Sequence, residues 1–278
     1  MSAAHFLRRP EWLVVPLIAF LAVFYLIPVI LMLARSAGTQ TDFAPLLEAV
    51  SSDIARTIFW NTLKIAVGTT LATLVLAYPL AFFIATAKPF TASVFLAIVM
   101  VPFWTSILIR SYAWMVLLGR QGLINGVLIW LGVIDQPIRL LNTNFAVYIG
   151  MIHVLLPFMV LPIFSSLKAI DGRLVAAAEN LGANAFATFR HVILPLSMPG
   201  IVAGCVLVFV LALGFYVTPA LLGGPSDMTI SMLIAQEVDL YRWDYAAALA
   251  GILLVATLVA LFAVSRVVSV DKLLGGVR

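Results

Sequence analysis

The sequence predicts an all-α integral membrane protein with six transmembrane helices. Two observations carry that prediction. Of 278 residues, 64% are hydrophobic and only 10% charged, against about 25% charged in soluble domains; mean hydropathy is +1.15. A soluble chain of this length could not bury so much apolar surface. The apolar residues also gather into six stretches, near 12–34, 60–86, 92–117, 144–167, 198–222 and 245–268. Each approaches the ~20 residues needed to cross a bilayer's hydrocarbon core.

The first stretch, WLVVPLIAFLAVFYLIPVILML, follows Arg8 and Arg9. Its apolar run outlasts a signal-peptide core of about 7–15 residues, and no small-residue cleavage site follows, so it reads as a retained anchor. The third, VPFWTSILIRSYAWMVLLG, holds a polar cluster. On one continuous helix Trp104 and Ser111 share a face, as do Thr105 and Tyr112. An arginine at the centre of a spanning helix costs about 2.5–3.5 kcal/mol, which places Arg110 near an interface or against a hydrated cavity. Two readings stay open: interfacial anchoring by Tyr112 and Trp114, or a pathway lined by Trp104, Thr105, Arg110 and Tyr112. Residues 120–143 contain an apolar run too short to span, which suits an interfacial or re-entrant helix with Trp130 at headgroup depth.

In the fourth stretch His153 is an ionisable group at membrane depth, either part of a functional site or a neutral imidazole bonded to a neighbouring helix. The fifth holds Gly200 and Gly204 in the spacing that lets helices approach closely. Further along, Gly214, Thr218 and Pro219 loosen a helix beside Phe215 and Tyr216, as in a bent, cavity-lining segment. Asp227, Glu237, Asp239 and Asp244 crowd the next connection.

Several function classes are excluded. Cys205 is the single cysteine, so no disulfide framework or cysteine metal site is available. His5, His153 and His191 form no pair at helical spacing, and LLGGPSD lacks the lysine and spacing of a phosphate-binding loop. No catalytic constellation stands out, and no metal or cofactor site is expected. The net charge of +4 is spread along the chain, which fits loops beside anionic lipid and not nucleic-acid binding.

With a cytoplasmic N-terminus, the inner segments hold nine basic residues (Arg8, Arg9, Lys88, Lys168, Arg173, Arg190, Arg266, Lys272 and Arg278) against seven outside. That is a small positive-inside bias, and an even span count returns the C-terminus to the same side. Residues 168–197 are then the longest cytoplasmic connection. Leu174, Ala178, Leu181, Ala185, Phe189 and Val192 recur at helical spacing. Asp171 suits a cap and Gly182 a break, and Pro195 and Pro199 are expected to stop continuation into the next span. Two short helices joined at a glycine follow, serving either as a membrane-surface element or as a docking element for a cytoplasmic partner.

The stretch resembles the EAA loop of permease subunits of binding-protein-dependent ABC importers. Leu174, Ala177, Ala178, Leu181, Gly182, Ala183, Phe189, Val192, Leu194, Pro195, Leu196, Pro199, Gly200 and Ile201 fall at the family's positions; the motif glutamate is replaced by Ala176, with Glu179 one turn on. NTLKIAVGTTLATLVLAYPLAFFIA, VPFWTSILIRSYAWMVLLGRQGLING and ALLGGPSDMTISMLI are similar to the spermidine/putrescine permease subgroup, so the likeness covers about 58–268.

The resemblance implies the type I ABC importer (MetI-like) permease fold in a bacterial inner membrane. Residues 1–57 would carry the tail, first helix and outer loop, 58–268 the permease core, and 269–278 a cytoplasmic tail. It implies a second permease subunit, two copies of a cytoplasmic ATPase holding ATP and magnesium, and a periplasmic binding protein. Ala176, Ala177, Ala178, Glu179, Leu181, Gly182, Ala183, Phe189, Leu194 and Pro195 would couple to the ATPase. Trp104, Thr105, Arg110, Tyr112, Phe215, Tyr216, Thr218 and Pro219 would line the pathway. Polyamines are the expected cargo; the alternatives are an amino-acid derivative, phosphonate or iron, or a secondary transporter of a small organic cation.

Overall fold

A computed structural model describes residues 14–36 and 43–267. Arg8, Arg9, Lys272, Arg278 and the tail 269–278 fall outside that range. There is no strand among the described residues, and six helical stretches among them are long and apolar enough to cross a membrane, the third being Ile107–Trp130. The helices divide into two compact units.

One unit comprises the chain up to Arg56 together with Leu233–Val255. Its first helix, α1 (Val15–Arg35), has no buried residue, as suits a helix apolar on every side with lipid for solvent. α2 (Ala44–Ser51) follows. α11 (Ile230–Asp239) runs into this unit and ends in a Schellman turn: Arg242 N–H bonds Glu237 O at 2.9 Å and Tyr241 N–H bonds Val238 O at 3.0 Å. Tyr241 holds the left-handed position, φ 60°, which usually falls to glycine. α12 (Trp243–Val267) begins here. Arg242 bridges Glu48 at 2.5 Å and Glu237 at 3.1 Å, the second an ion pair without hydrogen-bond alignment. It also lies 4.5 Å from the centroid of the Tyr245 ring. The Glu48 hydrogen bond is the main reason the Arg242 pKa is raised; partial burial opposes it and the Glu237 charge adds to it.

The other unit comprises Thr57–Met232 and the chain from Ala256. α3 (Asp53–Thr86) has 34 residues, about 51 Å at 1.5 Å per residue. α4 (Pro89–Trp104) and α5 (Ile107–Leu118) are separate helices, so the continuous third span expected at 92–117 is corrected: Thr105 and Ser106 are extended, ψ 148° and 137°. Trp104 therefore does not share a helix with Ser111, nor Thr105 with Tyr112. α6 (Leu123–Trp130) is the short helix in the next connection, with Trp130 exposed and Gly132 in a left-handed turn at its end. Buried Asn125 fixes this connection, donating to Gly119 O and Ile138 O and accepting from Ile138 N–H.

α7 (Asn144–Lys168) is the centre of this unit. Val147, Met151, Leu155, Met159 and Ile163 form a buried stripe along it. α9 (Ala185–Leu213) packs against α7 through small residues. A Cβ on Gly200 would stand 2.5 Å from Ser166 Cβ, and one on Gly204 2.8 Å from Met159 Sδ. Close packing of this kind replaces the hydrophobic drive that lipid cannot supply. The fifth span expected at 198–222 is also broken. α9 ends at Leu213, and α10 (Val217–Leu222) restarts after Gly214.

Pro195 and Pro199 do not stop α9, contrary to the expectation for them. Phe189–Ile193 form a π turn in which Leu194 N–H bonds Phe189 O, and the helix continues through both prolines. A proline lacks an N–H and crowds the carbonyl four residues back; a wider π turn just upstream gives that carbonyl room. α1 repeats the arrangement, with a π turn at Ala22–Leu26 just before Pro28.

Candidate coupling loop and interrupted spans

Local sequence shapes the loop 168–197 tightly. α8 (Gly172–Asn180) begins at Asp171, whose carboxylate accepts the Arg173 N–H at 2.9 Å. It ends in a full Schellman turn: Gly182 N–H bonds Glu179 O at 2.9 Å and Ala183 N–H bonds Ala178 O at 3.0 Å. Gly182 supplies the left-handed residue, φ 84°, and faces open space. Asn184 then caps α9, its side chain accepting from Ala187 N–H at 2.8 Å. Two caps and one glycine set the turn between the helices.

The six-residue apolar stripe does not survive as one face, because the chain reverses at Gly182. Leu181 is 88% and Phe186 69% exposed, and Leu174 is also exposed. Ala176, Ala177 and Glu179 are exposed, while Ala178 and Ala183 are half-buried. Phe189 turns the other way, its ring edge-on to Tyr78 and to Phe82, each 5.9 Å between centroids. Leu194 is half-buried and accepts the Ser197 hydroxyl; Pro195 is exposed.

The two broken spans meet through the helices that follow their breaks. α5 and α10 pack together, with buried Ser111 and Thr218 hydroxyls 3.4 Å apart. Gly150 of α7 gives α10 room: a Cβ there would stand 2.6 Å from Thr218 Cγ2 and would also meet Leu222. Arg110 reaches back across the break to donate to Pro102 O, and Thr105 Oγ1 donates to the same carbonyl at 3.2 Å. Trp104 is 82% exposed, Tyr112 and Tyr216 are exposed, and Phe215 is half-buried. Thr218 and Pro219 are buried within the packing of α10. An interrupted helix within a spanning segment is tolerated where protein or a water-filled cavity receives the freed backbone groups.

His153 accepts the Trp114 indole N–H at Nδ1, 3.0 Å, which joins α7 to α5. The acids after the fifth span are not all solvated. Asp227 is buried, accepting from Gly224 N–H at 2.7 Å and Ser226 Oγ at 3.3 Å. Asn61 holds the same turn through Ser226 O and Met228 O, and Thr62 accepts the Ile230 N–H. Glu237 is buried beside Arg242. Among the described residues no group of acids, histidines and cysteine could hold a metal ion.

Residues 77–273 match the family described as the binding-protein-dependent transport system inner membrane component. The chain belongs to that family. This inner membrane component is 39% identical over 239 residues to the spermidine/putrescine transport system permease protein PotB of Haemophilus influenzae, covering 83% of this chain and 84% of that one. It is 37% identical over 245 residues to PotB of Escherichia coli, covering 85% and 89%. The inner membrane ABC transporter permease protein YdcU of Escherichia coli is 33% identical over 216 residues, covering 72% of this chain and 68% of that one.

A chain of the bacterial alginate ABC transporter, solved in complex with alginate pentasaccharide-bound periplasmic protein, matches with TM-score 0.79 at 20% identity. It covers 98% of this chain and 99% of its own. The all-α, six-span ABC importer permease fold follows, and with it a multi-pass place in the inner membrane. Sequence reasoning missed Tyr78, Asn61, Thr62 and Asn125 in this inner membrane component. Each acts through a partner distant in sequence or buried in a loop, and nothing in local periodicity marks them.

Proposed function

We propose that this chain is the translocation subunit of an ATP-driven importer of spermidine, putrescine or a similar small solute. It works with a second permease subunit, two copies of a cytoplasmic ATPase that hold ATP and magnesium, and a periplasmic binding protein. Both termini and the loop 168–197 face the cytoplasm. The observation that carries the reading is the tip at Leu181–Phe186, where large apolar side chains stand exposed around a turn locked by two caps and a left-handed glycine. A rigid apolar projection from a membrane bundle is a handle for a partner. The small side chains of Ala176, Ala177, Ala178 and Ala183 let a groove of the ATPase close around it, with Glu179, Leu181 and Gly182 at its tip.

When ATP draws the ATPases together, the loop moves as a lever; Phe189, Leu194 and Pro195 connect it to the fifth span. The spans then rock between inward- and outward-facing forms, and cargo passes Trp104, Thr105, Arg110, Tyr112, Phe215 and Tyr216, with Thr218 and Pro219 supporting the wall. The polyamine assignment is supported by the two PotB relatives. Exposed Trp104 and Tyr216 also offer ring faces to ammonium groups.

Co-purification with its ATPase tests the coupling role. Gly182→Asp places a charge on the tip, and Gly182→Ala adds backbone strain alone. The expected result is loss of the ATPase with Asp and near-normal assembly with Ala, both inserting in the membrane. Full assembly and coupling in Gly182→Asp would overturn the docking assignment. Uptake of radiolabelled putrescine and spermidine tests the cargo.

A further inference from the structure

We propose that Tyr78, on α3, is the positioning residue that carries movement of the coupling loop into the second span. The inference rests on the coupling role given above and adds the route by which that role reaches the bundle. Tyr78 and Phe82 lie four residues apart on one face of α3, and Phe189 sits edge-on to both. The Tyr78 hydroxyl lies 3.1 Å from Ser197 Oγ. Ser197 is buried and donates its own hydrogen to Leu194 O at 3.0 Å, so Tyr78 is the donor to Ser197.

One side chain thus grips α9 twice. Its ring meets Phe189 at the start of the π turn, and its hydroxyl meets Ser197 beyond the turn. A π turn interrupts the regular hydrogen-bond ladder of an α-helix and is often found at functional sites. Left alone, it would let the loop swing without moving the span behind it. A brace across the joint from a separate helix removes that freedom. Displacement at Gly182 then reaches α3 together with α9. Phe82 contributes by packing alone, whereas Tyr78 joins packing to a directional bond.

The test uses the complete complex of both permeases and two ATPases in proteoliposomes, with ATP hydrolysis measured without cargo. In a braced machine, ATPase closure has to drag the spans, which holds idle hydrolysis down. Tyr78→Ala is expected to raise idle hydrolysis at least threefold while retaining its ATPase, measured below its lowered melting temperature. Tyr78→Phe and Ser197→Ala should each raise it by a smaller, equal factor, and the double variant should match either single one. Idle hydrolysis at the wild-type rate in assembled Tyr78→Phe and Tyr78→Ala complexes would overturn the proposal. So would fully additive effects of Tyr78→Phe and Ser197→Ala. Gly182→Asp run in parallel separates the two ideas. If it disturbs assembly while the Tyr78 variants leave hydrolysis unchanged, the brace alone is wrong. If Gly182→Asp has no effect, the docking assignment itself fails.

Discussion

Trp114 donates its indole N–H to His153 Nδ1 across 3.0 Å, and the two rings meet edge-on at 5.8 Å. This bond secures α5, the helix after the first break, to the central helix α7. A desolvated donor that loses its partner costs about 1–3 kcal/mol, whereas replacing both partners by apolar groups of similar shape is close to neutral. His153→Phe is therefore expected to lower the melting temperature of the detergent-solubilised protein, and Trp114→Phe in the same chain to recover most of the loss. A double-variant cycle by thermal melting measures the coupling; strictly additive losses would contradict it.

One turn earlier on α5 the tolerance for volume is smaller than the tolerance for losing a bond. The Ser111–Thr218 separation of 3.4 Å is long, and hydrogen bonds inside membrane proteins average about 0.6 kcal/mol. Ser111→Ala should cost no more than that. Gly150→Ala forces a methyl against Thr218 and Leu222 and should cost about 1–3 kcal/mol. Chemical unfolding of the two variants gives the order.

The α7–α9 seam gives a similar contrast along one helix. Gly200→Ala meets Ser166 and the backbone of Ile163 and is expected to cost about 1–3 kcal/mol. Ala203→Leu, on the exposed side of the same turn, should leave the melting temperature almost unchanged.

Tyr241 occupies a glycine's conformation at the end of α11 while its side chain is 82% exposed. Left-handed backbone costs a non-glycine residue about 1–2 kcal/mol. Tyr241→Gly is expected to stabilise the protein by about 1 kcal/mol or less, because glycine's extra freedom when unfolded returns part of the gain. Loss of stability would mean that the exposed ring makes a contribution larger than the strain.

Arg242 is expected to be more costly to remove than its exposed partner. Arg242→Met leaves Glu237 buried without its cation, whereas Glu48→Gln breaks an exposed pair worth about 0–1 kcal/mol. Thermal melting at low salt should show a loss of about 1–3 kcal/mol for the first, and Glu237→Gln in the same chain should restore stability.

The apolar spans were legible because lipid imposes length and composition on any helix that crosses it, independent of packing. Asp171 and Gly182 were legible because caps and left-handed turns depend on one or two residues. The break at Thr105–Ser106 was not, and at Gly214–Tyr216 only a loosening was legible, not a full interruption. Neither carries a forbidden residue at its centre, and each is held by partners elsewhere, Arg110 on Pro102 and Gly150 beneath Thr218. Pro195 and Pro199 misled for the opposite reason. Their local effect is strong, but a wider turn upstream makes room for Pro195, and the helix runs on through Pro199. The burial of Asp227 and Glu237 was not legible either, because their partners, a turn amide and Arg242, do not show in a composition count.

The π turn at Phe189–Ile193 also fixes a phase. A helix advances about 100° per residue, so one residue more or fewer in that turn rotates everything before it relative to the span behind. Leu181 and Phe186 point outward, and Phe189 inward, only for the present number of residues. Deleting one residue there would preserve composition, hydrophobicity and helix content, yet swing the exposed tip about a quarter-turn around the span axis.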